Sequence, residues 1–155
     1  MPTEPAPTAE DAQKAIVEEF LACADWEERY RLIIQAGRTI PGIDEFPEDA
    51  KDPKYIVKGC QSTVYMKPEF KDGRVVYHAT SDAMIVRGLI ALLLRVYSGR
   101  KPSEVLEASP HFIQDLGLNE NLTQGRANGL ASMIEQIKLY AVAYQQLARA
   151  TEKPA

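Results

Sequence analysis

The chain has 155 residues, long enough for one domain with its own hydrophobic core, and carries 18 Lys and Arg against 22 Asp and Glu for a net charge of −4. The basic residues are scattered singly, which argues against nucleic acid as the main partner. Two cysteines far apart in sequence give neither the paired spacing of a zinc site nor a disulfide framework, so a reducing, cytoplasmic location is expected. A bridge between Cys23 and Cys60 stays open at this stage.

Residues 1–10 are rich in Pro, Thr and Ala and hold no Lys or Arg. They read as a disordered tail and lack the basic region of a secretory signal. Helical spacing over 11–22 aligns Ile16, Val17, Phe20 and Cys23 on one face, with Glu18 and Glu19 off it, which places Cys23 in the core. Asp25 is the expected cap of a second helix, supported by Glu27 and Glu28 near its positive end, with Trp26, Tyr30, Ile33 and Ile34 as its buried stripe and Gly37 as its stop.

The proline-rich, acidic stretch 41–53 reads as a surface loop. Residues 54–57 are expected to form a short edge strand, followed by a hairpin of 62–67 and 74–80 turned by Lys71-Asp72-Gly73. Ser81 or Asp82 should cap a third helix with Ile85, Leu89, Leu92, Leu93 and Val96 inward and Arg87, Ala91 and Arg95 outward. This run, 84–97, is the most apolar in the chain. It is interrupted by two arginines and falls short of the roughly 20 residues a membrane span requires. Ser98-Gly99 ends it, Pro102 opens a short helix over 103–108, a turn covers 110–116, and Thr123 caps a last helix with Leu130, Met133, Ile134, Ile137 and Tyr144 inward. Residues 151–155 should fray. The order of helices, hairpin and helices predicts one α+β domain over 11–150, a small antiparallel sheet packed on one face by helices.

Gly59-Cys60-Gln61-Ser62 places a lone thiol in a polar, glycine-hinged segment just before a strand. Free cysteine is usually a small buried hydrophobe, but Gly59 frees the backbone and Lys58 is a cation that favours the thiolate. Arg126 falls in the first turn of the last helix, where the dipole disfavours a cation. It serves either as an exposed arginine bonded to a nearby loop or as half of an electropositive spot for a thiolate, persulfide or partner carboxylate. His78 and His111 have no nucleophile motif beside them, and neither is tied to Cys60 as a thiol hydrolase would require. Gly125 and Gly129 form no phosphate loop, and the ligand spacing of a metal site is missing.

With these residues in place the chain resembles the SufE family, sulfur-accepting partners of cysteine desulfurases. The resemblance rests on Phe20-Leu21-Ala22-Cys23 with Trp26-Glu27-Glu28-Arg29-Tyr30, on Gly59-Cys60-Gln61-Ser62, on Ser81-Asp82-Ala83 with Ile85 through Ala91, and on Arg126 with Gly129-Leu130. It implies a SufE/IscU-like fold with no resident cofactor or metal. Cys60 would take a persulfide sulfur from a pyridoxal-phosphate-dependent cysteine desulfurase, stimulate that enzyme, and pass the sulfur to an iron–sulfur scaffold or another acceptor. Gly59, Gln61, Asp82 and Arg126 are the supporting positions, with Gly59 as hinge. The thiol is expected to rest under apolar side chains, with its pKa raised, and to swing out on docking. One departure is Gln124-Gly125 where many relatives have proline and serine, expected to loosen Arg126. Two other classes remain: an adaptor that activates a desulfurase without carrying sulfur, and a cluster scaffold, which would need several thiolates.

Overall fold

The structure, a computed structural model, describes residues 8–152. Thr8 starts helix α1 (Ala9–Leu21) through a capping box: its hydroxyl accepts from the Asp11 N–H while the Asp11 carboxylate accepts from the Thr8 N–H. Residues 9 and 10 are therefore helical, not part of a disordered tail, and residues 1–7 lie outside the described residues. The helix ends at Leu21, so Cys23 sits in the turn beyond it, half-buried and outside the core cluster. The spacing that aligned Cys23 with Ile16 and Phe20 outruns the helix itself.

Asp25 caps α2 (Trp26–Gly37) by accepting from the Glu28 N–H. Gly37 is its last residue, yet not for the left-handed turn that glycine usually supplies, because the following Arg38 is right-handed at φ −76°. The reason is contact with α3 (Met84–Tyr97). A Cβ on Gly37 would stand 2.8 Å from the Gly88 nitrogen, and one on Gly88 only 2.0 Å from the Ile33 carbonyl oxygen. The two helices cross backbone to backbone at this glycine pair, and Ile33 is fully enclosed there.

Helix α3 is the centre of the molecule. α1, α2 and the hairpin pack around it, so Ala91, expected on an outer face, is buried as well. Its polar positions are reduced to Arg87, whose Nε donates to the Gly37 carbonyl at 3.1 Å, and Arg95, which pairs with Glu19 of α1. Neither Ser81 nor Asp82 caps it; the N-cap position is Ala83, with no side-chain bond. Ser81 closes the preceding strand, and Asp82 is engaged elsewhere, as described below.

Strands β1 (Val64–Lys71) and β2 (Arg74–Ser81) form one antiparallel hairpin in register from Lys71↔Arg74 to Val64↔Ser81. Asp72 at φ 53° and Gly73 at φ 77° make the two-residue turn whose twist suits a hairpin. Val64, Met66, Val75, Tyr77 and Ala79 face the helices and are buried. The fold is α+β with helices on one face of the sheet, as expected. The edge strand expected over 54–57 is absent: Pro53 follows the Asp52 cap into the 3-10 turn Pro53–Tyr55, and only Ile56 makes a bridge, to Tyr65.

The remaining helices are α4 (Pro102–Glu107), α5 (His111–Asp115), α6 (Leu118–Asn121) and α7 (Gln124–Glu152). α6 has no counterpart in the sequence reading, because four residues are too few to show a period. Thr123 caps α7 by accepting from the Arg126 N–H at 3.2 Å. α7 continues through Glu152 into the stretch expected to fray, and residues 153–155 lie outside the described ones. Buried Gln13 ties α1 to α5, donating to the Ser109 carbonyl and accepting from the Phe112 N–H.

Two outcomes follow from this packing. Gly88→Ala forces a methyl into the Ile33 carbonyl and should lower stability in urea denaturation by about 3 kcal/mol, the upper range for overpacking. His111 lies between Asp115 at 2.9 Å and Glu10 at 2.6 Å, and these hydrogen bonds raise its pKa. The stabilising imidazolium is fully present below the ordinary imidazole value of about 6.5 and is lost as pH rises through the higher folded value. The urea-midpoint advantage of the native chain over His111→Gln should therefore be greatest in mild acid and vanish in alkali.

Candidate functional site

Residues 58–63 form a loop whose ends are drawn together by the Val57 N–H donating to the Val64 carbonyl at 2.9 Å. Gly59 within it has φ 92°, a conformation that side chains rarely adopt. Space makes the same demand, since a Cβ there would lie 2.5 Å from the Ser132 hydroxyl. The far end of the loop is tethered by Asp82, whose Oδ1 accepts from the Thr63 N–H at 3.2 Å and lies 3.4 Å from the Ser81 hydroxyl. Asp82 thus binds the thiol loop to the junction between β2 and α3.

The loop rests on the first turns of α7. Cys60 Sγ points at the Gly129 carbonyl, 3.7 Å away, and a Cβ on Gly129 would be 3.5 Å from that sulfur. Gln61 lies over Gly125 so closely that a Cβ there would come within 2.2 Å of its side-chain oxygen. Glycine in a helix costs about 1 kcal/mol relative to alanine. Two of them four residues apart at the start of α7 are the signal in the sequence that another segment approaches here. Considered only as a phosphate loop, the pair yields nothing. Gly125, part of the Gln124-Gly125 departure, makes room for Gln61.

Beside the thiol is a cavity of about 100 Å³. Val86 and Leu89 of α3 and Met133 of α7 give it an apolar floor, while Gln61, Ser62 and Arg126 edge its mouth. Cys60 is half-buried, and burial pushes its thiol pKa above the ordinary value with no cation opposing the shift. Lys58 and Arg126 are exposed. Among the described residues the Arg126 guanidinium has no hydrogen bond or ion pair, so the reading of an arginine bonded to a nearby loop does not hold. The site therefore gathers Gly59, Cys60, Gln61, Asp82 and Arg126 within one corner of the fold.

Other candidates lie apart from it. His78 pairs with Glu69 at 3.1 Å and His111 with two carboxylates, and neither lines the thiol cavity, so no thiol–imidazole pair forms. Cys23 and Cys60 are both free thiols, which closes the question of a bridge. Among the described residues no three His, Cys, Asp or Glu side chains cluster as metal ligands would. No described helix is long and apolar enough to cross a membrane.

Residues 14–141 match the family model for SufE, an Fe–S metabolism associated domain. An uncharacterized SufE-like protein of Synechocystis sp. is 36% identical over 130 residues, covering 84% of this chain and 80% of the relative. One from Rhizobium meliloti is 37% identical over 128 residues, covering 79% and 89%. A solution structure of a hypothetical protein from Thermus thermophilus superposes with a TM-score of 0.72 over 87% of this chain and 96% of that one, at 22% identity.

In a Cys23→Ser background, alkylation of Cys60 by iodoacetamide should follow a pH curve displaced to the alkaline side of a free cysteine, because the raised pKa lowers the thiolate fraction. Urea unfolding should remove the displacement. Gly125→Val, which expels Gln61, should speed alkylation several-fold at neutral pH.

Proposed function

The chain belongs to the SufE family, and from that premise we propose that it accepts sulfur from a cysteine desulfurase on Cys60, stimulates that enzyme and delivers the sulfur to an acceptor in iron–sulfur cluster assembly. What carries the reading is the seat of Cys60: a half-buried thiol on a glycine-jointed loop, above a cavity with an apolar floor and room for one more sulfur atom.

In the transfer step the Cys60 thiolate attacks the outer sulfur of the desulfurase persulfide. A new bond forms between the Cys60 sulfur and that atom, the old sulfur–sulfur bond breaks, and the desulfurase cysteine leaves as a thiolate. Cys60 then carries the persulfide. No oxidant or reductant is consumed, because the sulfane sulfur keeps its oxidation state through the exchange.

The resting geometry fits the two demands of a carrier. Burial keeps the thiol protonated and slow toward adventitious electrophiles, and the same cavity shelters a persulfide from water and oxidants. Delivery requires the opposite, a thiol presented to another protein's active site. Gly59 supplies the pivot and the Thr63–Asp82 hydrogen bond the catch that a docking partner releases. Arg126, exposed at the mouth with its guanidinium uncommitted, is placed to meet the negative persulfide or a carboxylate of the partner. The two free cysteines suit a reducing cytoplasm.

The test is intact-mass measurement after incubation with a cognate desulfurase and cysteine. The native chain and Cys23→Ser should each gain mass in steps of about 32 Da per sulfur, removable by dithiothreitol, and Cys60→Ser should gain none. Sulfur loading on Cys60→Ser would overturn the assignment. Full stimulation of the desulfurase by Cys60→Ala would instead identify a non-carrying adaptor.

A further inference from the structure

Beyond the thiol seat, helix α7 has two unlike faces. Inward, Ile137 and Ala141 are buried, Lys138 donates to the Val105, Leu106 and Ala108 carbonyls at the end of α4, and Tyr144 stacks on Phe70 with ring centroids 5.0 Å apart. Outward, Leu139, Val142 and Leu147 are 54%, 39% and 52% exposed, and they are half of the large apolar side chains that the described residues leave in solvent. Between Glu135 and Arg149 the one charged side chain is Lys138, which is turned inward. A helix face made for water carries charge, so this stripe is built for contact.

The charges that bound the stripe point to what covers it. Glu135 lies seven residues before Val142 and Arg149 seven residues after it. Seven residues are close to two turns, so the three side chains stand in one row along the helix. Glu135 and Arg149 are both exposed, and among the described residues neither side chain has a hydrogen bond or an ion pair. A second copy of the chain, turned end for end about Val142, sets each Glu135 opposite the other copy's Arg149. The match occurs twice, once at each end. A parallel copy would set like charges against each other, and an unrelated partner would call for no such reflection about Val142. Within the span Leu139, Val142 and Leu147 supply the apolar contact, and Ala143, exposed beside the axis, keeps the two helices from being held apart.

Size sets the strength of such a pair. One stripe on one helix covers well under the roughly 800 Å² per partner of a standard interface, so the pair is weak and forms only in concentrated protein. It also leaves the thiols free. Gly129, under Cys60, is thirteen residues from Val142, which places the two thiol seats about 40 Å apart at opposite ends of the paired helices.

We infer that the outer face of α7 is a homodimer interface, in which two copies pair antiparallel about Val142 with Leu139, Val142 and Leu147 in contact and Glu135–Arg149 ion pairs at both ends. The interface is separate from the thiol, so its fate does not depend on sulfur transfer.

The test is sedimentation equilibrium of the full chain under reducing conditions, from about 10 µM to about 1 mM. Reversible dimerisation in the upper part of that range is expected. Leu139→Glu should weaken it at least tenfold. Glu135→Arg and Arg149→Glu should each weaken it severalfold in low salt, and an equal mixture of these two variants should recover it, because every charge then meets its opposite across the antiparallel pair. A native chain that stays monomeric at the highest concentration overturns the inference. So does association indifferent to Leu139→Glu, which would mark another surface, and so does association that the single charge reversals leave unchanged, which would mark a parallel pair. All three substitutions are at exposed positions, so the native fold is retained in every arm.

Discussion

The site depends on one close approach: the loop bearing Cys60 lies on the start of α7 with glycine, and no side chain, at the two points of contact. Gly129 admits the sulfur and Gly125 admits Gln61. A Cβ at position 125 would run into the Gln61 side chain at 2.2 Å, whereas at position 129 it would meet the sulfur at an ordinary contact distance of 3.5 Å. The helical cost of glycine at 125, about 1 kcal/mol, is therefore the cost of seating Gln61 against the helix.

The same device recurs deeper in the molecule. Gly37 and Gly88 let α2 and α3 cross backbone to backbone, which draws α3 into the centre and leaves almost none of it exposed. β2 leads directly into this buried helix, and Asp82 stands at the junction. A hydrogen bond from Thr63 to that residue thus fastens a small loop to the entrance of a deeply buried helix. Placement of the thiol follows from helix packing several residues away.

Electrostatically the site is a resting one. Burial raises the Cys60 pKa, while the cations that favour a thiolate, Lys58 and Arg126, stand in solvent. Such an arrangement is poor for a self-contained thiol enzyme, which needs its nucleophile ionised before substrate arrives. It suits a thiol that ionises only when a partner draws it out, and no histidine reaches it to do otherwise.

Much of this was legible in sequence because it is local. Asp25 and Thr123 cap helices through side chains three residues from the amides they serve, the Asp72-Gly73 pair dictates its own turn, and the two-residue period of Val75, Tyr77 and Ala79 announces a one-sided sheet. Gly59-Cys60-Gln61-Ser62 likewise marked its thiol by neighbours in the chain. What tertiary structure alone decided are contacts between residues distant in sequence: Asp82 leaves the helix it was expected to cap for an amide 19 positions earlier, and Gly125 and Gly129 face a loop some 60 to 70 positions away. Cys23 fell out of the core because its helix stopped short, and Ala91 was buried because a second layer of helices covered it. Periodicity reports which face of an element is apolar; how many neighbours cover that element, and which glycine yields to which loop, depends on packing across the whole chain.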